Sequence, residues 1–290
     1  MWHTTRFEID LTQPKIMGIV NLTPDSFSDG GQFASTSAAC KHAEQLIRDG
    51  ADILDLGAES SRPGAPPVSL QDELARLMPV LKEAVKLGVP ISVDTYKPQV
   101  MQAALDAGAD IINDIWGFRR VDANLSAAQV VMDHGRCGLV MMHMHRDPQT
   151  MQLDPLPESE DVVQRVKNDL LSFHERLAQV PCRQSAHFDL KARLLIDPGI
   201  GFGKTVAQNF ALLARQRELL DLGFPLLAGW SRKSSLGAVT GLQEAKDRMV
   251  PSVAAALLAL ERGASVLRVH DVRETVQAMK VWRAAQSAVN

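Results

Sequence analysis

The feature of this sequence that most limits its possible folds is a regular alternation of short apolar runs with segments of helical periodicity. Eight apolar runs, each typical of a buried strand, cover residues 15–20, 52–57, 90–94, 110–114, 138–144, 193–199, 225–231 and 265–270. Each run precedes a predicted helix, and these helices lie near Ser37–Asp49, Leu70–Leu87, Pro98–Ala107, Ala123–His134, Asp161–Gln179, Ala207–Leu222, Val250–Arg262 and Thr275–Ala285. Continuously apolar strands joined by helices are typical of a parallel sheet that is covered on both faces. Eight such units in 290 residues predict an α/β protein, a (β/α)8 barrel.

The sequence contains no segment that is typical of a linker between domains. No linker rich in Pro, Ser or Gly interrupts the chain, so we expect one domain over residues 1–290, with residues 1–14 as an N-terminal extension. A doubly wound open sheet uses the same alternation and stays the second possible architecture.

Composition excludes several classes of function. A net charge of −3 provides no basic field for nucleic acid. The N-terminal residues lack the basic and apolar regions of a signal peptide, and no apolar stretch is long enough to span a bilayer. We therefore expect a cytoplasmic protein that binds neither nucleic acid nor membranes. Three widely spaced cysteines, Cys40, Cys137 and Cys182, predict reduced and mostly structural thiols.

Polar residues follow every predicted strand, at the end where (β/α)8 barrels carry their active sites. The first strand stops at Asn21 and leads into a long turn-forming loop whose oxygen and amide groups suit a hard cation or a polar ring. The polar groups at the other strand ends are Glu59–Gly64, Asp94, Asn113 and Asp114, His143 and His145, Asp197, Ser231–Lys233, and Arg268 and His270. A coherent polar set at equivalent points is not explained by packing alone.

At these positions the chain resembles the dihydropteroate synthase family, over nearly its whole length. The matching segments, in order, are NLTPDSFSDGG, DLGAESSRPGA, SVDTYKP, IINDIWG, MHMHRDPQTMQ, LLIDPGIGFGKT, GWSRKS and RVHDV. The resemblance implies a transferase that joins 6-hydroxymethyl-7,8-dihydropterin diphosphate to p-aminobenzoate in folate biosynthesis. Pyrophosphate would leave, and sulfonamides, which mimic the aminobenzoate in that family, would bind.

The resemblance also implies where the pterin binds. Asp94, Asn113 and Asp197 would pair with the amino-pyrimidinone edge of the ring, for which carboxylates and a carboxamide are suitable partners. Lys233 would reach the same ring, and Met141 is also expected to contact a substrate. Either aspartate, seen alone, could instead be a helix N-cap after its strand.

A second group of residues is expected at the diphosphate. Arg62, Arg268 and His270 supply cations and donors, and Arg268 and His270 alternate along one strand so that both can face the same side. The resemblance places Mg²⁺ on the diphosphate with Asn21 as its protein contact. His270 taken alone would more often be a core or surface residue.

The aminobenzoate site is expected beneath the loops after the first two strands. Asp25, Phe27, Ser61, Arg62 and Pro63 would close over the substrate and exclude water, although Phe27 could equally be a loop anchor. By analogy with the family, Phe202 would shape this pocket and Ser231 would contact the carboxylate. The expected catalytic residues are Lys233, Arg268, His270, Arg62 and Asp25.

Other patterns in the sequence leave alternatives open. The segment GIGFGKT is not a nucleotide phosphate loop, because Pro198 stands where that motif requires glycine, and Lys204 within it could be a solvated cation. His143 and His145 form an H-x-H pair that can bind zinc, although no further histidine follows strand six. The family usually has Gln-Gly at His145-Arg146, so the pocket wall is expected to differ there.

Two other functional classes share this fold. A pterin-binding methyltransferase would donate a methyl group to a corrinoid protein and should lack the Ser-Arg-Lys and Arg-x-His cation set. A non-catalytic pterin-binding module would keep the binding residues but lose the loop chemistry. A homodimer through late helices is implied only by the resemblance, since apolar faces such as Val253–Leu260 also serve a core.

Overall fold

The structure is a computed structural model that describes residues 1–23, 31–60, 62, 64–183 and 188–288, with only the backbone of residues 31–35. Four residues predicted for the site, Asp25, Phe27, Ser61 and Pro63, lie outside the described residues. Their predicted roles therefore stay predictions.

Eight parallel strands form the central sheet. In chain order, the strands of the described residues are β1 (Trp2–His3), β2 (Glu8–Ile9), β3 (Lys15–Asn21), β4 (Ile53–Gly57), β5 (Ile91–Asp94), β6 (Ile111–Asp114), β7 (Val121–Asp122), β8 (Leu125–Ser126), β9 (Gly138–Met142), β10 (Leu194–Asp197), β11 (Leu227–Ala228) and β12 (Val266–Val269). The hydrogen-bonded order of the large sheet is β10-β9-β6-β5-β4-β3-β12-β11. A parallel bridge between Ile196 and Leu226 joins the two outer strands. This contact closes the sheet into the predicted (β/α)8 barrel.

Helices follow the strands and cover the outside of the barrel. They are α1 (Gly31–Asp49), α2 (Leu70–Ala84), α3 (Pro98–Asp106), α4 (Ala127–His134), α5 (Val162–Ala178), α6 (Leu190–Arg193), α7 (Val206–Ala214), α8 (Ser234–Thr240), α9 (Met249–Glu261) and α10 (Val272–Ser287). Two 3₁₀-helices, Gln216–Leu222 and Ala245–Arg248, complete the set in the described part of the chain. The helix predicted over Ala207–Leu222 is thus divided into an α-helix and a 3₁₀-helix.

The fourth helix begins later than predicted because a small hairpin occupies its expected first turn. Strands β7 and β8 pair antiparallel across Ala123 and Asn124. Both turn residues have positive φ angles, 47° and 67°. Two successive residues with positive φ are the mark of a tight hairpin turn and are incompatible with an α-helix. The helical pattern therefore applies only from Ala127 onward.

The amino-terminal residues close the end of the barrel opposite to the predicted site. Strands β1 and β2 form a hairpin, and the Trp2 ring, 1% exposed, packs among inward-facing side chains of the strands. Its Nε1 donates to the carbonyl of Arg193 at 2.6 Å. Arg6 binds both carboxylate oxygens of Asp110, at 2.9 and 2.6 Å. Residues 2–9 therefore pack against the barrel interior and form part of its core.

Two predictions from composition can be compared with the fold. Within the described residues, Cys40 and Cys137 are reduced thiols, in agreement with the prediction. Among the helices that the structure describes, none combines the length and apolarity that a membrane crossing requires.

Candidate active site

A cavity of about 590 Å³ opens at the carboxyl ends of the barrel strands. Residues from several strand ends and loops border it, as expected where parallel strands converge. The predicted residues among its lining are Asn21, Arg62, Asp94, Phe202, Ser231, Lys233, Arg268 and His270. The structure thus brings together side chains that lie up to 249 positions apart in the sequence, from Asn21 to His270.

Three polar strand ends form what we call the floor: Asp94 lines the cavity, whereas Asn113 and Asp197 are buried beside it. Asp94 on β5 and Asn113 on β6 are register partners, so their side chains project from the same face of the sheet. Asp197, 7% exposed, ends β10 and accepts the backbone N–H of Gly199 at 2.7 Å. Burial raises the pKa of Asp94 to about 7 against the opposing charge of Arg268, and burial also raises the pKa of Asp197. All three predicted pterin contacts therefore lie in one desolvated region.

Arg268 points into this floor. Its Nε donates to Asp55 Oδ2 at 2.6 Å, and its Nη2 donates to Asp94 Oδ2 at 2.7 Å. Burial alone would lower the pKa of Arg268, but the two carboxylates outweigh it and raise the pKa. The guanidinium predicted for the diphosphate is thus also the counter-ion of Asp94, the carboxylate predicted to contact the pterin.

Asp55 is a site residue that the sequence reasoning missed. It is fully buried in the middle of β4, and its Oδ2 accepts from Arg268 and, at 3.2 Å, from Asn113 Nδ2. Its other oxygen has no partner within the part of the chain that the structure describes. A carboxylate within an otherwise apolar strand could have identified Asp55. A buried charge needs a partner, so its presence indicates a nearby cation or hydrogen-bond donor.

His270 is held in one orientation by Ser231. The Ser231 hydroxyl accepts the backbone N–H of His270 at 3.1 Å, and its oxygen lies 3.0 Å from Nδ1 of the same residue. When the hydroxyl hydrogen is directed at Nδ1, the ring hydrogen is on Nε2, which is then the N–H donor. Burial and the cations Arg232, Arg268, Arg62 and Lys233 lower the pKa of His270 to about 3. His270 is a neutral donor, and Ser231 is engaged in positioning it.

Lys233 and Phe202 form a shared wall of the cavity. The ammonium of Lys233 lies 4.3 Å from the centre of the Phe202 ring, a distance at which the cation is attracted to the ring face. Burial lowers the pKa of Lys233 to about 8, against the opposing charges of Asp197 and Asp94. Behind the ring, Met142, Met144 and Met151 pack with Phe202.

Met141, predicted as a substrate contact, does not line this cavity. It lies in the core between the barrel and its helices, whereas Met142 packs with Phe202. Successive residues of a strand face opposite sides, so an error of one position reverses the direction of the side chain. The structure therefore does not place Met141 at the cavity, whereas Met142 packs with Phe202, which lines it.

The H-x-H pair is not a zinc site. His143 is fully buried, and its ring nitrogens lie 3.1 Å from Asp169 Oδ2 and 2.9 Å from Lys204 Nζ. Neither nitrogen is free to bind a metal. Lys204, considered as a solvated cation, is instead 2% exposed.

Arg146 stands where the family usually has glycine, and its backbone conformation is unfavourable for a residue with a side chain. Its φ angle is +62°, a conformation that glycine adopts without steric penalty and other residues adopt at about 1 kcal/mol. An ion pair with Asp154 accompanies this conformation. The backbone at this position thus keeps a shape suited to glycine.

Oxygen donors border the β3 and β4 side of the cavity. Asn21 lies there with Thr23, Glu59 and Ser60. A carboxamide oxygen is a suitable ligand for Mg²⁺, which usually keeps several waters and combines few protein ligands with phosphate oxygens. This donor set fits the predicted ion, and magnesium stays a prediction.

Comparison with known proteins identifies the family. The model of the pterin-binding enzymes matches residues 17–270, so the chain belongs to that family. A dihydropteroate synthase from Neisseria meningitidis serogroup B is 46% identical over 289 residues, covering 98% of this chain and 97% of the relative. Within the family the chain therefore falls among the dihydropteroate synthases, which confirms the resemblance seen in the sequence.

Solved structures of related enzymes agree. The Burkholderia cenocepacia dihydropteroate synthase complexed with 7,8-dihydropteroate has a TM-score of 0.85 and 46% identity, covering 99% of this chain and 97% of that chain. The Xanthomonas albilineans dihydropteroate synthase with 4-aminobenzoic acid has a TM-score of 0.85 and 45% identity, covering 96% of this chain and 95% of that chain.

Proposed function

We propose that the cavity at the carboxyl ends of the strands binds a dihydropterin diphosphate and p-aminobenzoate together and joins them. The reaction is that of dihydropteroate synthases, in which 7,8-dihydropteroate forms and pyrophosphate is released in folate biosynthesis. The observation that carries this assignment of the site is the cluster of Asp94 with the buried Asn113 and Asp197, beside Lys233 and Arg268 in the cavity wall. Related structures with 7,8-dihydropteroate and with 4-aminobenzoic acid support the two small-molecule substrates.

The floor would read the hydrogen-bonding edge of the pterin. Asn113 donates its amide nitrogen to Asp55, so its carbonyl oxygen is left to accept from the ligand. Asp94 has one oxygen on Arg268 and a second available, and Asp197 has one oxygen on the Gly199 N–H. Each residue therefore offers an acceptor to the N–H groups of an amino-pyrimidinone.

The diphosphate would lie toward the opening of the cavity. Arg62 is exposed there, and the Nε2–H of neutral His270 is a directed donor. Helix α10 begins at Val272, just after His270, and the N-terminus of a helix favours an anion. Asn21 would hold Mg²⁺ on the diphosphate, and the bound ion would neutralise charge that develops on the leaving group.

Aminobenzoate would bind against Phe202 and Lys233. The ring of Phe202 provides an apolar surface, and the nearby ammonium of Lys233 complements the carboxylate or the reacting edge. The loops that carry Asp25, Phe27, Ser61 and Pro63 would then cover the substrate. The one hydroxyl hydrogen of Ser231 is directed at His270 Nδ1, so its expected contact with the aminobenzoate carboxylate requires that hydrogen to turn to the substrate.

The order of bond changes follows from the weak nucleophilicity of an aromatic amine. The carbon–oxygen bond to the diphosphate would break first, with the electron pair leaving on the diphosphate and a cationic pterin methylene remaining. The amine nitrogen would then form the new carbon–nitrogen bond and lose a proton to water or to the departing diphosphate. Cavity donors would stabilise the leaving anion, and the cover predicted over the site would keep bulk water from the cation.

Release of pyrophosphate tests this proposal. Purified protein is mixed with dihydropterin diphosphate, Mg²⁺ and p-aminobenzoate, and we expect pyrophosphate only when all three are present. The matched control replaces Lys167, which pairs with Asp221 on the outer surface at 2.8 Å, by Met. Pterin binding without release that depends on aminobenzoate would instead indicate a non-catalytic binding module.

We further propose that the protein works as a homodimer in the cytoplasm. Val250 and Leu258 of α9 are 69% and 42% exposed, and apolar residues at this exposure on a late helix support contact with a second copy. Sedimentation velocity on the wild type and on a Leu258→Glu variant tests this arrangement, and a wild-type monomer at micromolar concentration would contradict it.

A further inference from the structure

A buried lysine holds the backbone of the loop that carries Phe202. The Nζ of Lys204 donates to the carbonyl of Gly199 at 2.8 Å and to the carbonyl of Phe202 at 3.1 Å. The third N–H group of Lys204 is directed at His143 Nδ1, 2.9 Å from Nζ. Burial lowers the pKa of Lys204 to about 7, and in its ammonium form all three N–H donors are used by these contacts. Lys204 itself does not line the cavity in the described part of the chain.

A carboxylate on helix α5 supports this lysine through His143. Asp169 Oδ2 lies 3.1 Å from His143 Nε2 and also accepts from Arg165 Nε at 2.8 Å. A hydrogen on Nε2 directed at the carboxylate leaves Nδ1 as an acceptor, which is the state that Lys204 requires. Burial lowers the pKa of His143 to about 3, with Lys204 adding to the effect, so the ring is neutral.

The loop held in this way has little conformational preference of its own. Gly199, Gly201 and Gly203 all have positive φ angles, of 68°, 82° and 68°. A Cβ atom on Gly199 would lie 1.8 Å from the carbonyl oxygen of His143, so the backbone segments are in close contact. Glycines permit this approach but leave the chain free to adopt other conformations. External contacts must therefore select the observed one.

We infer that Lys204, oriented by the Asp169 and His143 pair, is a positioning residue that fixes residues 199–203 so that Phe202 forms the aminobenzoate wall. The inference rests on the proposed function of the cavity. Phe202 in turn places its ring 4.3 Å from the ammonium of Lys233, so a shift of the loop displaces both parts of the wall. The chain of contacts links helix α5, on the outside of the barrel, to the aminobenzoate side of the site.

The pterin side should respond less than the aminobenzoate side. Gly199 N–H binds Asp197 Oδ1 at 2.7 Å across two residues, and this short-range contact is not among the bonds that Lys204 makes. Asp94 and Asn113 lie on β5 and β6, away from the loop. A folded variant without the lysine donors should therefore lose aminobenzoate affinity selectively.

Steady-state kinetics with Lys204→Met and Asp169→Asn test the inference. Lys204→Met keeps the apolar stem and removes the donors, and we expect its KM for aminobenzoate to rise about 10- to 100-fold, as for misplaced supporting groups elsewhere. Asp169→Asn keeps the shape and removes the charge, and its KM should rise about 3- to 10-fold, the lower part of that range. The Kd of a dihydropterin, measured by calorimetry, should stay within about twofold in both variants.

The matched control is Lys167→Met, on the same helix as Asp169 but paired with Asp221 on the surface. Its two KM values should equal those of the wild type. Wild-type protein that releases no pyrophosphate would refute the proposed function itself. Wild-type turnover combined with an unchanged aminobenzoate KM in folded Lys204→Met, or an equal loss of pterin and aminobenzoate affinity, would refute the positioning role. If Lys204→Met does not fold, the aminobenzoate KM of Asp169→Asn decides in the same way.

Discussion

Asp55 allows the energetics of the buried floor to be tested directly. Replacing it by Ala removes two hydrogen bonds that converge on Oδ2, one from Arg268 at 2.6 Å and one from Asn113 at 3.2 Å. Hydrogen bonds to a charged group contribute about 1.5–3 kcal/mol each, which gives a loss of about 3–6 kcal/mol. The unpartnered Oδ1 is removed as well, and relief of its desolvation returns about 1–3 kcal/mol. We expect a net decrease of about 2–3 kcal/mol in the free energy of unfolding.

The isosteric variant separates the charge from the hydrogen bonds. Both donors use the same oxygen, so Asp55→Asn can present its carbonyl oxygen to them and place its NH2 group where Oδ1 now has no partner. Asp55→Asn should therefore lose about half as much stability as Asp55→Ala. Urea unfolding followed by circular dichroism measures the free energies of unfolding of both variants. Calorimetry measures whether Asp55→Ala, which removes the hydrogen-bond partner of Asn113, binds a dihydropterin more weakly.

A double-mutant cycle with Arg268→Met identifies the partner. In the Arg268→Met background the Asp55→Ala change should cost about 2 kcal/mol less than in the wild type, because the strongest of its contacts is already absent. Equal costs in the two backgrounds would refute the reasoning, since they would mean that the Arg268 contact contributes nothing. A cost below about 0.5 kcal/mol for Asp55→Ala alone would refute it as well.

Three further outcomes follow from the structure. His270→Ala should lower kcat for pyrophosphate release about 100-fold by removing the Nε2–H donor while the thermal melt stays unchanged, and near-normal turnover would contradict the diphosphate assignment. Trp2→Ala should cost about 3–5 kcal/mol in urea unfolding because it empties the closed end of the barrel, whereas a loss below 1 kcal/mol would mean that the hairpin is only attached. The pKa values of His143 and His270 are lowered to about 3, so stability should fall as pH decreases from about 6.5, by up to about 1.4 kcal/mol per pH unit for each histidine; an acid slope that is unchanged in His143→Gln would contradict this.

The sequence predicts the barrel because its strands carry their signal locally. A strand buried on both faces is apolar along its length, and that pattern is visible without knowledge of the fold. The hairpin of β1 and β2 gives no such signal, since each strand has two residues. The β7 and β8 hairpin is similarly hidden, because its positive φ angles fall on Ala123 and Asn124 rather than on glycines.

The sequence predicts a site residue correctly when only its position along the strand matters. The prediction fails when it also requires the face of the strand to which the side chain points. Asp94, Asn113 and Asp197 lie at strand ends, and parallel strands end on one side of the barrel. Met141 required the correct face of β9, which depends on the register of the whole sheet. The neutrality of His270 depends on burial beside cations from distant segments, which no local pattern reports.

The charges buried around the floor suggest why an ionising reaction suits this cavity. In the state in which Asp94 and Asp197 are ionised despite their raised pKa values, the charges of Asp55, Asp94, Asp197, Arg268 and Lys233 sum to −1. A cationic pterin methylene would bring that sum to zero, and fixed charges in a desolvated site favour the state that they complement.

Asp197→Asn tests this balance because it keeps the shape and one acceptor while the sum becomes zero before the cation forms. We expect kcat to fall about 100- to 1000-fold and the Kd of a neutral dihydropterin to rise only about tenfold. Asp114→Asn is the control: Asp114 is also buried with its pKa raised to about 7, but it follows Asn113 on the opposite face of β6 and caps the turn at Trp116. Equal losses in kcat and pterin affinity for Asp197→Asn would mean that the carboxylate only recognises the ring edge.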